Sequence, residues 1–113
     1  MKRGEVWTVA GGTDYAGKPQ PVVILQDDAY DVTRSVTICP LTTTDIDLPA
    51  TRPVIVPSGE NGLRNMSRLM ADKVTTVART KLHARVGRLS AQDVMLMNRA
   101  VIVFLGLGGT ARR

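Results

Sequence analysis

The chain has 113 residues, 43% of them apolar and 22% charged, a balance that fits one folded domain over residues 1–113 and excludes a disordered chain. Lys and Arg number 15 against 10 Asp and Glu, so the net charge is +5 and polyanions, nucleic acid ahead of membrane, are the favoured partner class. A single cysteine, Cys39, and a single histidine, His83, exclude an intrachain disulfide, a multi-cysteine zinc site and a three-histidine catalytic zinc, and no metal or other cofactor is expected.

Lys2 and Arg3 open the chain as a signal peptide would, but Gly4, Glu5 and Thr8 interrupt any apolar region behind them. Glu5–Val9 alternates and is rich in β-formers, predicting a first strand. Gly11, Gly12 and Gly17 around Tyr15 then read as a loop, either a mobile lid or a plain hairpin connection. Pro21–Gln26 is a continuous apolar run led by proline, as in a buried strand whose first residue needs no ladder donor. Val36–Leu41 is a third strand, running out into Thr42-Thr43-Thr44-Asp45. Val54–Val56, fenced by Pro53 and Pro57, is a fourth and belongs at an edge. Ser67–Val77 reads as one longer strand and Val86–Leu89 as a short last one, with His83 in a turn between them as a surface residue.

The period then changes. Ser90 followed by Asp93 is a helix-capping signature, and the helix runs to about Leu105 with Gly106 as its left-handed stop. Val94, Met97, Val101 and Leu105 make one apolar stripe, while Met95, Leu96, Ile102 and Val103 cover much of the rest. Such a helix is either sunk in its own core or covered on a second side by a partner subunit, and at this chain length a homodimer is the expectation. Short strands plus one closing helix give a mainly β (α+β) fold, a small, strongly curved antiparallel sheet or barrel. The longest apolar stretch, Ala100–Leu107, is far short of the ~20 residues that span a bilayer. A cytoplasmic location with no membrane partner is expected.

Metal-free RNA cleavage requires that the 2′-hydroxyl lose a proton, the phosphorane be neutralised and the 5′-oxygen leave protonated. Arginine, a hydroxyl and a carboxylate can share that work. Thr42, Thr43 and Thr44 stand where a buried strand emerges, either presenting a hydroxyl or simply ending the strand. Asp72 lies among apolar residues, either paired with Lys73 or Arg68 or part of a site. At 4% of the chain, aromatic residues are too few for a base-stacking platform, so phosphate contacts must dominate any RNA binding.

Arg3-Gly4-Glu5-Val6-Trp7, Gly17-Lys18-Pro19-Gln20-Pro21 with the strand to Asp28, Cys39-Pro40-Leu41-Thr42, Ala71–Thr76 and Arg85–Leu89 together resemble the MazF/PemK toxin family. The resemblance covers nearly the whole chain in order and spacing. It implies an SH3-like, MazF-type barrel and a homodimer. It also implies a sequence-specific, ribosome- and metal-independent endoribonuclease that cuts single-stranded RNA to 2′,3′-cyclic phosphate and 5′-hydroxyl ends. The implied partners are a cognate antitoxin with an acidic disordered tail and, only together with that antitoxin, operator DNA. The family's catalytic threonine falls on Thr42 and its acidic residue on Asp72, but its catalytic arginine position is occupied by Gln20, which has no charge. Lys18, Gln26, Thr43, Arg68 and Lys73 are the candidate substrate contacts, and Lys18 and Arg68 the candidates to replace the missing charge. The alternative is a weakened or inactive relative that binds RNA or antitoxin without cutting. A gyrase poison of the CcdB type ranks last, because such proteins rely on a tryptophan near the C-terminus and the only one here is Trp7.

Overall fold

The computed structural model describes residues 1–9, 19–45 and 50–109, so the glycine loop around Tyr15 and Lys18 lies outside the described residues. Seven strands, β1 (Glu5–Val9), β2 (Gln20–Ile24), β3 (Ser35–Thr42), β4 (Val54–Ile55), β5 (Ser67–Leu69), β6 (Thr75–Ala78) and β7 (Leu82–Arg88), precede one helix, α1 (Ala91–Leu105). The sheet order is β4-β5-β3-β2-β1-β7, all antiparallel, with β6 on the remaining half of β3. It is a curled half-barrel with one C-terminal helix, the mainly β fold that the sequence predicts. β4 ends the order, as its flanking prolines require.

The curl follows from strands that are apolar on both faces. Val23, Cys39 and Leu41 face one core with Val6, Leu69 and Met97; Val22, Ile24, Val36 and Ile38 face a second with Val9 and Leu82. A flat sheet would leave one of these sets in water. Here α1 covers the first, and the sheet bends over the second so that Leu82 of β7 and Val77 of β6 close it. Each fully buried Val, Leu or Ile side chain contributes about 1.5–3 kcal/mol.

The 67–77 segment departs from the prediction. β5 pairs with the end of β3 (Leu41↔Leu69, Thr42↔Arg68) and β6 with its beginning (Ile38↔Thr75). Residues 70–74 therefore oppose only Cys39 and Pro40, and the excess leaves the sheet as a 3-10 turn, Ala71–Lys73. Pro40 stands opposite this break. Its carbonyl still accepts from Met70 N–H at 2.9 Å, and the amide donor it lacks points into the gap, so the central strand tolerates it. Asp72 sits on this turn and not within a strand. β7 also starts earlier than expected, at Leu82, so His83 is an exposed strand residue.

The helix boundaries are as predicted. Ser90 Oγ accepts from Asp93 N–H at 3.1 Å, and Gly106 closes the helix with φ +70°. Met97 and Ala100 are fully buried and Val94 and Val101 half-buried, but Leu105, placed on the apolar stripe, is exposed. Met95 (70% exposed), Ile102, Val103 and Phe104 also remain in solvent.

Candidate active site

Thr42 ends β3 with a neighbour on each side. Continuing the β2–β3 register (Val22↔Pro40) by two residues puts Gln20 opposite Thr42, and on the other side Thr42 pairs directly with Arg68 of β5. Residues directly opposite across a sheet share a face, with Cβ atoms about 5 Å apart, so Gln20, Thr42 and Arg68 form one row across three strands. The row continues the face of Val22 and Ile38 to its open end, where Gln20 and Thr42 are half-buried and Thr43, Thr44 and Asp45 exposed. Thr42 Oγ1 accepts from Thr44 N–H at 3.1 Å. That leaves its own O–H free to donate. Gln20 Nε2 donates to the Leu41 carbonyl at 2.6 Å, fixing the amide beside Thr42.

Arg68 is held from two directions. Its Nη1 donates to the Arg52 carbonyl at 2.8 Å, and its Nε and Nη2 both reach Asp45 Oδ1, at 2.9 and 2.8 Å. The Asp45 carboxylate is 84% exposed. Asp45, Arg68, Thr43, Val54 and Met66 line a pocket of about 290 Å³ beside the row.

Asp72 is not in this row. Its two oxygens are gripped by Nε and Nη2 of Arg52, each at 2.9 Å, and the Arg52 side chain is only 6% exposed. The partner is thus Arg52, and neither Lys73 nor Arg68. The Arg52 guanidinium, through its hydrogen bonds, holds the Asp72 carboxyl below the usual carboxylate range despite partial burial. Both oxygens are committed, so the group is a poor proton acceptor at neutral pH. Burial raises the Cys39 thiol to about 12, and Asp72 nearby adds to the rise. Cys39 faces the helix-side core.

Of the remaining expected substrate contacts, Thr43 adjoins the row and Lys18 lies outside the described residues. Gln26 is not brought to the site. It stands about 20 Å along the chain direction from Gln20. Its Oε1 accepts from Thr37 N–H at 2.9 Å and its Nε2 donates to Tyr30 O at 2.8 Å, so it staples the Asp27–Arg34 loop. Lys73 is exposed on the Asp72 turn and makes no ion pair among the described residues. The sequence reading missed Arg52. An arginine in Thr51-Arg52-Pro53, ahead of an edge strand, carries no local sign of burial; the only hint was an apolar-context carboxylate, Asp72, in need of a cation. Among the described residues no group of His, Cys, Asp or Glu is arranged to hold a metal ion.

Residues 2–105 match the family described as PemK-like, MazF-like toxin of type II toxin-antitoxin system. The chain is 50% identical over 109 residues to the probable endoribonuclease MazF of Mycolicibacterium smegmatis, covering 96% of this chain and 100% of that protein. It is 26% identical over 117 residues to endoribonuclease MazF9 of Mycobacterium tuberculosis, covering 95% of this chain and 98% of that one. Among solved structures, an endoribonuclease from a mycobacterial species in complex with its cognate antitoxin has the same fold, with a TM-score of 0.82 at 24% identity, covering 97% of this chain and 99% of that chain.

Proposed function

The chain belongs to the PemK-like, MazF-like family of type II toxins, and from that premise we propose that it is an endoribonuclease toxin whose cleavage centre is Thr42. The observation that carries the reading is the row Gln20–Thr42–Arg68, a free hydroxyl between an amide and a guanidinium at the open end of one sheet face. The 2′-oxygen of a single-stranded RNA attacks the adjacent phosphorus, the 2′-O–P bond forms and the P–O5′ bond breaks. The 2′-hydroxyl proton leaves to water and the departing 5′-oxygen takes one from water. The products are a 2′,3′-cyclic phosphate and a 5′-hydroxyl. Thr42 O–H and the Gln20 amide donate to the non-bridging oxygens, where charge develops, and Thr43 and Arg68 contact the RNA. The reaction needs no metal. Asp72, bound on both oxygens by Arg52, holds the scaffold beneath the site and stays out of proton transfer.

Two partner readings accompany this. The exposed groove of about 590 Å³ along α1, lined by Met95, Leu96, Ile102 and Val103, is the surface for a homodimer. A cognate antitoxin with an acidic tail competes with RNA for the basic toxin, as its polyanionic character and the net charge of +5 favour, and operator DNA is bound only together with it. No helix among the described residues is long and apolar enough to cross a membrane; we place the toxin in the cytoplasm with its RNA. The test is incubation of single-stranded RNA with the full chain in excess EDTA, with end-group analysis of the products. Cyclic-phosphate and 5′-hydroxyl ends are expected. RNA that is bound but uncut would refute the enzyme in favour of a binding module.

A further inference from the structure

Cleavage puts a second negative charge on the phosphorane, and a guanidinium stabilises that state far more than a neutral amide does. Position 20, beside Thr42 on β2, offers only an uncharged amide, and one of its two Nε2 hydrogens is already spent on the Leu41 carbonyl at 2.6 Å. The opposite flank of Thr42 is different. Arg68 is its register partner on β5, on the same face and one strand away. Resting on the endoribonuclease reading above, we propose that Arg68 is the catalytic cation of this toxin, and that the exposed Asp45 carboxylate keeps the phosphate's place on it until RNA arrives.

The two grips on Arg68 divide fixed from exchangeable. Nη1 is anchored on the Arg52 carbonyl at 2.8 Å, and the segment presenting that carbonyl is itself tied down, by Leu69 N–H to Pro53 O and Ala71 N–H to Thr51 O, both 3.0 Å, and by the Arg52–Asp72 ion pair. The Nε and Nη2 edge carries a single carboxylate oxygen at 2.9 and 2.8 Å, the way a guanidinium takes one non-bridging oxygen of a phosphodiester. Asp45 is 84% exposed, so water screens its hold and a phosphate displaces it at little cost. The side chain that the RNA needs is thus pre-aimed by backbone and only provisionally occupied. Throughout the step Arg68 keeps all its protons and donates hydrogen bonds to the phosphorane oxygens.

Single-turnover cleavage of a short single-stranded RNA by the full chain in excess EDTA, with RNA affinity and thermal melting measured in parallel, tests this. Arg68→Gln should lose roughly 100-fold or more in rate, the scale of removing a transition-state donor. Adding Gln20→Arg to Arg68→Gln should recover much of that loss, because it moves the charge across Thr42 to the other flank. Asp45→Asn should tighten RNA binding severalfold, because the Nε and Nη2 edge of Arg68 is then freed for the phosphate, and unchanged or weaker binding would refute the place-keeping role of Asp45. An Arg68→Gln chain that melts like the native one and cuts within about threefold of it overturns the proposal. So does activity that survives Arg68→Gln but vanishes in Lys18→Ala. Should Arg68→Gln not fold, Arg68→Lys carries the test: it keeps the charge and loses the fork, so a roughly tenfold slower step at similar RNA affinity supports the assignment and an undiminished rate refutes it. A native chain that cuts no RNA refutes the endoribonuclease reading itself, whereas a native chain that cuts beside an equally fast Arg68→Gln refutes only Arg68.

Discussion

Replacing Asp72 by asparagine keeps the size of the side chain and leaves the Arg52 guanidinium without its counter-charge. Arg52 is 6% exposed and Asp72 19%, and two 2.9 Å charge-assisted hydrogen bonds join them. Breaking a fully buried pair by removing one partner costs about 3–5 kcal/mol, and the partial exposure of Asp72 puts this case at the lower end, about 3 kcal/mol. For a chain of this length that is a fall of about 12 °C in Tm. The loss should depend on pH in a defined direction. The folded-state carboxyl titrates below its ordinary value of 3.8, so the pair's stabilisation is present above that value and disappears as the pH falls through the depressed folded-state pKa. The variant has no such group. Urea denaturation near pH 7 and again at about pH 3 should therefore show a gap of about 3 kcal/mol that narrows on acidification. A gap under about 1 kcal/mol near pH 7, or one that does not narrow, would refute the argument that this pair bolts the 50–53 segment to the 71–73 turn. The folded variant should still cut RNA within about tenfold of the native rate; a loss beyond about 100-fold would return Asp72 to the reacting centre.

Thr42→Ala should lower single-turnover cleavage by roughly 100- to 1,000-fold and the melting temperature by only about 4 °C, since it removes one donor from the phosphorane and, from the fold, one exposed hydrogen bond to Thr44 N–H; full activity would take Thr42 out of the site. Light scattering should give twice the 12.2 kDa chain mass, and Met95→Lys combined with Ile102→Lys should yield monomers, because both residues are exposed on the apolar groove of α1; a native chain of monomer mass at micromolar concentration contradicts the dimer. The logarithm of the cleavage rate should climb with pH through neutrality, since the Asp72 carboxyl lies below its normal range and the Cys39 thiol at about 12; a bell-shaped profile centred near neutrality would mean that a protein group, and not water, takes the 2′-hydroxyl proton.

The features legible in the residue order alone lie within a few residues of each signal. Ser90 and Gly106 bound the helix because capping satisfies backbone groups one turn away, and Pro53 and Pro57 confine β4 to the edge because a proline withholds its own donor. The emergence of Thr42 at the end of an apolar strand is equally local, and so is the absence of charge at Gln20. Everything that depends on which distant segments share a register came from the folded chain. The 67–77 run is uniformly strand-like by composition, yet it divides at Asp72 because β3 pairs with it twice and has too few residues to match its length. Arg52 looks like any surface arginine until Asp72, 20 positions away, is folded onto it. Arg68 becomes a neighbour of Thr42 only when β5 docks in its antiparallel register, since a slip of one residue would turn it to the other face of the sheet. Local propensity carries no record of pairing between segments so far apart, and in this chain the charge that flanks Thr42 is placed by such a pairing.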